Sequence, residues 1–248
     1  MTEKVLITGA DRGLGLAACK VFLADGWEVF AGQFMAAWPE LGELAGAHGD
    51  KLHIIPLDVS SDASVDAALL LVQERTSYLN VILNVAGLSR IPKETGIDFK
   101  DGTVFERPNF AGAIYILNTN TFGPMRVNNR FIPLLLKAEG DKTIVNISSE
   151  AGSMTCQTVV REHTYAYCMS KAAVNMQSHI LQNSLVSYGV KVLAVDPGYL
   201  RSYITGRLNL EATVEPADSA GGILNLIKTQ RDPRGHQYFY FDGRKMQY

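Results

Sequence analysis

Cysteine is scarce in this chain: Cys19, Cys156 and Cys168 are the three present in 248 residues. An odd, scattered set makes no disulfide framework, and no Cys/His spacing matches a zinc site. No metal is expected, and a reducing, cytoplasmic setting fits best. Charge of one sign is also missing. Lys and Arg number 23 against 25 Asp and Glu, a formal net charge of -2 with no basic block. That removes the electrostatic case for a nucleic-acid or anionic-membrane partner. No apolar run approaches the ~20 residues needed to cross a bilayer. The opening Met1-Thr2-Glu3-Lys4 has no signal-peptide layout. No Gly-x-Ser-x-Gly elbow exists, so an α/β-hydrolase fails at its nucleophile. Repeats, low-complexity tracts and an interdomain linker are absent too.

What is present is a chain 47% hydrophobic, long enough for one domain over 1–248 with a full core. Short apolar runs at 5–8, 28–32, 52–57, 81–84, 143–148 and 190–195 read as strands. Helical patterns fall between them near 14–25, 64–77, 124–137, 166–188 and 216–228. The alternation predicts an α/β, Rossmann-like, doubly wound parallel sheet with helices on both faces. The stretch 88–118 is the least regular, and reads as loop plus an ill-defined helix. The run Tyr238-Phe239-Tyr240-Phe241-Asp242-Gly243 reads as a last strand closed by an Asp-Gly turn.

Two local patterns carry chemistry. Thr8-Gly9-Ala10-Asp11-Arg12-Gly13-Leu14-Gly15 follows the first strand and opens the first helix. Glycines there permit a tight turn and close backbone approach, while the helix N-terminus offers free N–H groups to a pyrophosphate. The second pattern is Tyr167 and Lys171, four residues apart and therefore on one helical face. A phenol ionises near ~10 in isolation, and a neighbouring cation favours the phenolate. Bringing it near neutrality needs roughly 3 units, about 4 kcal/mol. The pair thus reads as a general acid/base device.

Together, the Thr-Gly-x-x-x-Gly-x-Gly turn and the Tyr-x-x-x-Lys pair resemble the short-chain dehydrogenase/reductase family. Further segments agree in order: Asp58-Val59, Asn84-Val85-Ala86-Gly87, Asn120 before Gly123, Ile147-Ser148-Ser149, and Pro197-Gly198 with Ser202 beyond. Residues 120–124, the wide spacing from Ser149 to Tyr167 and the 238–243 run also resemble C-factor- and sniffer-like carbonyl reductases. The resemblance implies an NAD(P)-dependent oxidoreductase with Asn120, Ser149, Tyr167 and Lys171 as catalytic residues. Tyr167 would exchange a proton with the substrate oxygen. Ser149 would hydrogen-bond that oxygen, Lys171 would hold the nicotinamide ribose, and Asn120 would anchor a relay water. The same resemblance places Gly9, Asp11, Arg12, Gly13, Leu14, Gly15, Asp58, Val59, Asn84, Ala86, Gly87, Tyr167, Lys171, Pro197, Gly198 and Ser202 around the cofactor. Tyr165 and Asn118 are rivals for two roles, and Ser148 reads as a satisfied structural hydroxyl.

Cofactor choice follows from charge. No acid stands at Gly32-Gln33-Phe34 to bind a ribose 2′-hydroxyl, whereas Arg12 could reach a 2′-phosphate. NADP(H) is favoured, with NAD(H) the alternative. The substrate is expected to be a small carbonyl or alcohol compound walled by loops near 88–118, 151–163 and 199–212, with His163 at its border. Family resemblance of the helices at 124–137 and 166–188 implies a homodimer or homotetramer. A catalytically silent dinucleotide-binding regulator, or an epimerase or dehydratase on the same fold, remain alternatives.

Overall fold

Successive strand residues point to opposite sides of a sheet, so a strand apolar on both sides demands cover on both. In the computed structural model, residues 2–91, 95–97, 105–156, 164–204 and 208–248 are described. Seven strands form one sheet: β1 (Lys4–Ile7), β2 (Glu28–Gln33), β3 (Leu52–Pro56), β4 (Val81–Asn84), β5 (Lys142–Ile147), β6 (Val190–Asp196) and β7 (Tyr238–Tyr240). Their order is β3-β2-β1-β4-β5-β6-β7, with every pair parallel. The helices are α1 (Gly13–Ala24), α2 (Glu40–His48), α3 (Asp62–Gln73), α4 (Phe110–Leu117), α5 (Gly123–Leu135), α6 (Tyr165–Leu185) and α7 (Pro216–Thr229).

Alternation along the strands divides the core in two. Val5 and Ile7 of β1 pack with Leu14, Ala18 and Phe22 of α1 and Ile223 and Ile227 of α7. Leu6, between them, faces Val65 and Val72 of α3 and Phe131 and Leu134 of α5. β4 repeats the division, with Val81 and Leu83 on the first side and Ile82 on the second. Each such side chain contributes about 1.5–3 kcal/mol on burial. The doubly wound Rossmann-like sheet is therefore a direct product of the apolar pattern. Its winding reverses between β1 and β4, which opens a crevice beyond the carboxyl ends of those strands.

Three details go beyond the sequence reading. α2 is short and carries little apolar signal, with Leu41 as its buried residue. Within 88–118, α4 is a definite helix, started by Asn109, whose side chain accepts from Gly112 N–H. α4 then runs through a π-helical segment, Asn118–Phe122, into α5. Parts of the three expected substrate loops, 92–94, 98–104, 157–163 and 205–207, lie outside the described residues, and so does His163. Among the described residues, no helix is long and apolar enough to cross a membrane.

Candidate active site

The glycine turn works through backbone. Gly9 has φ 64, and a Cβ on it would lie 2.9 Å from the Cα of Ala86. A Cβ on Gly15 would lie 2.0 Å from the Gly9 carbonyl oxygen, so the turn folds back on the start of α1. Thr8 ties this end of β1 to β4, its Oγ1 accepting from the N–H of Val85 and of Ala86 at 3.0 Å each. Arg12, the residue before α1, is extended and makes no side-chain cap. The first-turn N–H groups and the positive helix end are thus left for an anion. These features fit a pyrophosphate.

Charge at the edge of this cradle differs from the sequence expectation. No acid is present at the end of β2 itself, but the fold delivers one from the turn. The buried Asp11 carboxylate accepts from Met35 N–H at 2.8 Å and Phe34 N–H at 3.0 Å, just past β2. Arg12 lies alongside, its guanidinium 4.8 Å from the centre of the Trp38 ring and donating to Met35 Sδ. Trp38 in turn meets Tyr203 edge-on at 5.0 Å. Ser202 is buried with its Cβ against Gly13.

Several residues expected around a cofactor have side chains occupied elsewhere. Asn84 is the clearest case. It is buried on β4, and its amide donates to Asn128 and Asn146 at 2.9 Å each, in a polar layer beneath α5 and α6. Ser178 extends that layer by accepting from Asn146. The side chains of Leu14 and Val59 belong to the two cores, which leaves them backbone contact at most. Asp58 closes its own turn, accepting from Ser60 N–H and Oγ. Pro197 and Gly198 follow β6, with Gly198 at φ 83.

The other half of the crevice is built by side chains from distant elements. Lys171 is buried on α6, and its Nζ donates to the Ile147 carbonyl at 2.8 Å, at the end of β5. Burial pushes its ammonium down to about 8, against an opposing pull from Asp196. Nζ lies 5.7 Å from the centre of the Tyr167 ring, so the expected face is shared. Asn120 sits in the π-helical segment, whose wider turn directs it inward. It brackets Leu88, accepting from its N–H at 2.9 Å and donating to its carbonyl at 2.8 Å. A Cβ on Gly87 would lie 3.3 Å from Asn120 Oδ1 and 3.8 Å from Lys171 Nζ, so both atoms converge on one point. Asn118, the rival, spends its side chain on Ser60 and Arg126.

Ser149 follows β5 in extended backbone, and its Oγ accepts from Ala151 N–H at 3.2 Å. Ser148 is the structural hydroxyl, donating to Asn175 Oδ1 at 2.5 Å. Asn175 passes the restraint on to the Gly152 carbonyl. Gly152 lets this turn lie directly on α6, since a Cβ there would be 2.4 Å from the Lys171 carbonyl carbon. The sequence reading missed Thr8, Asn175, Asp196 and Tyr238. Gly152 and the Asp196-Pro197-Gly198 run were signals for two of the contacts; Tyr238 was legible as part of the last strand, but nothing local marked its reach to Ser149.

Comparisons with known proteins place this fold in a family. Residues 3–213 match the model of the family described as short chain dehydrogenase. Estradiol 17-beta-dehydrogenase 2 of Mus musculus is 32% identical over 206 residues, 82% of this chain and 50% of that protein. The chain thus spans about half the length of this relative. An NADPH-bound carbonyl reductase from chicken fatty liver superposes with a TM-score of 0.87 at 29% identity, covering 100% of this chain and 99% of the other. Carbonyl reductase Sniffer of D. melanogaster shares the fold, with a TM-score of 0.85 at 24% identity and 100% coverage of both chains. The chain belongs to the short-chain dehydrogenase family.

Proposed function

We propose that this chain is an NADP(H)-dependent oxidoreductase that interconverts a carbonyl compound and its alcohol, with Tyr167 as general acid/base. The observation that carries the reading is the buried Lys171 cation beside the Tyr167 ring, with Asn120 Oδ1 directed to the same point at Gly87. When bound, the nicotinamide supplies or receives the hydride. Every other task falls to the protein. Tyr167 gives a proton to the carbonyl oxygen in reduction and takes it from the alcohol in oxidation. Ser149 Oγ donates to that oxygen as its charge develops. Lys171 holds the ribose hydroxyls and favours the phenolate of Tyr167. Asn120 keeps the Leu88 backbone and a relay water in place.

Arg12, already stacked on Trp38, supports NADP(H) as the cofactor, because a flat guanidinium beside an aromatic ring suits a phosphate. Asp11 opposes this less than a free carboxylate would, since two backbone N–H groups already hold it. NAD(H) is the alternative. The NADPH bound to the chicken carbonyl reductase agrees with the first choice. The walls of the substrate site are assigned to 88–118, 151–163 and 199–212. Exposed apolar residues on α4 and α6, Phe110, Ile114, Met169, Met176 and Ile180, support a homodimer or homotetramer, which light scattering would measure.

A panel of carbonyls and alcohols, followed by absorbance of the reduced nicotinamide, tests the reading. On any substrate turned over, Tyr167→Phe should remove activity and leave NADPH binding within about twofold, as expected for a lost proton donor. Full activity in that variant sinks the mechanism. A product formed without net redox change would favour an epimerase or dehydratase.

A further inference from the structure

We propose that Asp196 and Tyr238 are positioning residues that hold Ser149 and the Pro197-Gly198 turn in register with Lys171. The proposal rests on the catalytic reading above and deepens it. Both residues act through the serine.

Asp196 ends β6 and is buried. Its two carboxylate oxygens serve two different segments. Oδ2 accepts from Glu150 N–H at 2.6 Å, in the turn that follows Ser149. Oδ1 accepts from Gly198 N–H at 2.7 Å. A single planar group therefore fixes the spacing between the serine and the glycine turn. Hydrogen bonds to a charged acceptor are short and strong, and these lie in that range.

Tyr238 supplies the second grip. It is fully buried on β7, and its hydroxyl donates to the Ser149 carbonyl at 2.7 Å. Burial, with Asp196 close by, pushes the Tyr238 phenol up, so the donor keeps its proton. Ser149 is then restrained at its carbonyl by Tyr238, at the next N–H by Asp196, and at Oγ by Ala151. Three such restraints fix both the backbone and the side chain of the residue meant to meet the substrate oxygen. An error of about 1 Å in such a group can cost on the order of a hundredfold in rate.

Asp196 also acts on Lys171 through charge, because it offsets the burial that lowers the ammonium. Lys171 is faced by Asp196 from β6, by the Tyr167 ring from its own helix, by neutral Asn120 from the π segment, and by the Ile147 carbonyl. Asp196 is itself faced by Tyr238 and Tyr240 of β7. Removing its charge lowers the pKa of Lys171 and of any phenol beside it.

The experiment uses the full chain, a substrate from the panel, and the variants Asp196→Asn, Asp196→Glu, Tyr238→Phe and Tyr167→Phe. Each is measured for kcat, KM, NADPH dissociation constant, pH profile of reduction and thermal melting. Asp196→Asn is expected to lower kcat at least about tenfold, with KM and NADPH affinity within about threefold. Its alkaline limit should move to lower pH by about half a unit or more. Asp196→Glu keeps the charge on a longer arm, so it should lose kcat without moving that limit. Tyr238→Phe should lower kcat about threefold to tenfold with the limit unmoved. A folded Asp196→Asn protein with wild-type kcat and pH limit overturns the role of Asp196. Wild-type kcat in Tyr238→Phe overturns that of Tyr238, and this variant alone decides if Asp196→Asn does not fold. Loss of activity in Tyr167→Phe with both others at wild-type level sinks the positioning proposal only. Full activity in Tyr167→Phe sinks the proposal together with the reading beneath it.

Discussion

The two halves of the crevice are built differently. The glycine turn is contiguous in sequence and acts through backbone: Gly9, Gly13 and Gly15 fall within one seven-residue stretch. The Ser149–Tyr167–Lys171–Asn120 half is gathered from β5, α6 and the π segment, and acts through side chains with hydrogen bonds to remote partners. The first half should therefore control how tightly a cofactor is held, and the second how fast a bound one is used. Backbone sites fail when a side chain intrudes; side-chain sites fail when a partner is lost.

Lys171→Met strikes hardest at this division, because Lys171 would serve cofactor and proton transfer alike. Turnover is expected to fall by about 10²–10⁴, with a weaker NADPH affinity as well. A loss confined to affinity, seen by combining steady-state rates with fluorescence titration, would break the comparison.

The same lysine sets a pH effect of the next size. Its folded pKa is lowered, from 10.5 to about 8, chiefly by burial. Below about 8 both folded and unfolded chains carry the proton, and the folded state bears the full cost of a buried cation. Between the two values the unfolded chain binds more protons, so stability rises with pH. From pH 7 to 9.5 the wild type should gain on the order of 2 kcal/mol relative to Lys171→Met. Urea unfolding of both proteins at the two pH values measures it. No relative gain would mean that the ammonium is well solvated.

Gly15→Ala tests the backbone half. The new Cβ would collide with the Gly9 carbonyl, costing about 1–3 kcal/mol in local distortion. NADPH affinity should drop about tenfold or more by that figure, while kcat at saturating cofactor stays within about twofold. An equal fall in kcat would show that the halves are not separable. Asp11→Asn gives the smallest effect and sharpens the charge reading. Removing a negative charge beside Arg12 should raise the NADPH-to-NADH affinity ratio by a few-fold, more at low salt. A lower ratio would mean that Asp11 serves the cradle through its charge.

Legibility in the sequence follows the same boundary. The sheet could be read because its strands are apolar on both faces, and the cradle because its residues are neighbours. The shared face of Tyr167 and Lys171 was readable because both lie on one helix, four residues apart. Asp11 was not readable as the acid at the end of β2, since it reaches Phe34 across 23 positions. Tyr238 meets Ser149 across 89. Such contacts depend on which strand lies beside which, and local pattern does not encode that. The side-chain direction of Asn84 was not readable for the related reason that an Asn at a strand end can turn towards the crevice or towards the helices. Here Asn128 and Asn146 draw it to the helices.

The π-helical segment at Asn118–Phe122 makes the chain sensitive to length, not only to composition. One residue added to or removed from a helix turns everything beyond it by about 100°. With the wide turn in place, Asn120 faces the crevice while Phe131 and Leu134 still face the sheet. Deleting any one residue between Tyr115 and Phe122 would restore an even spiral and force one of those orientations out of place. A helix tolerant of many single replacements would thus reject the smallest possible deletion.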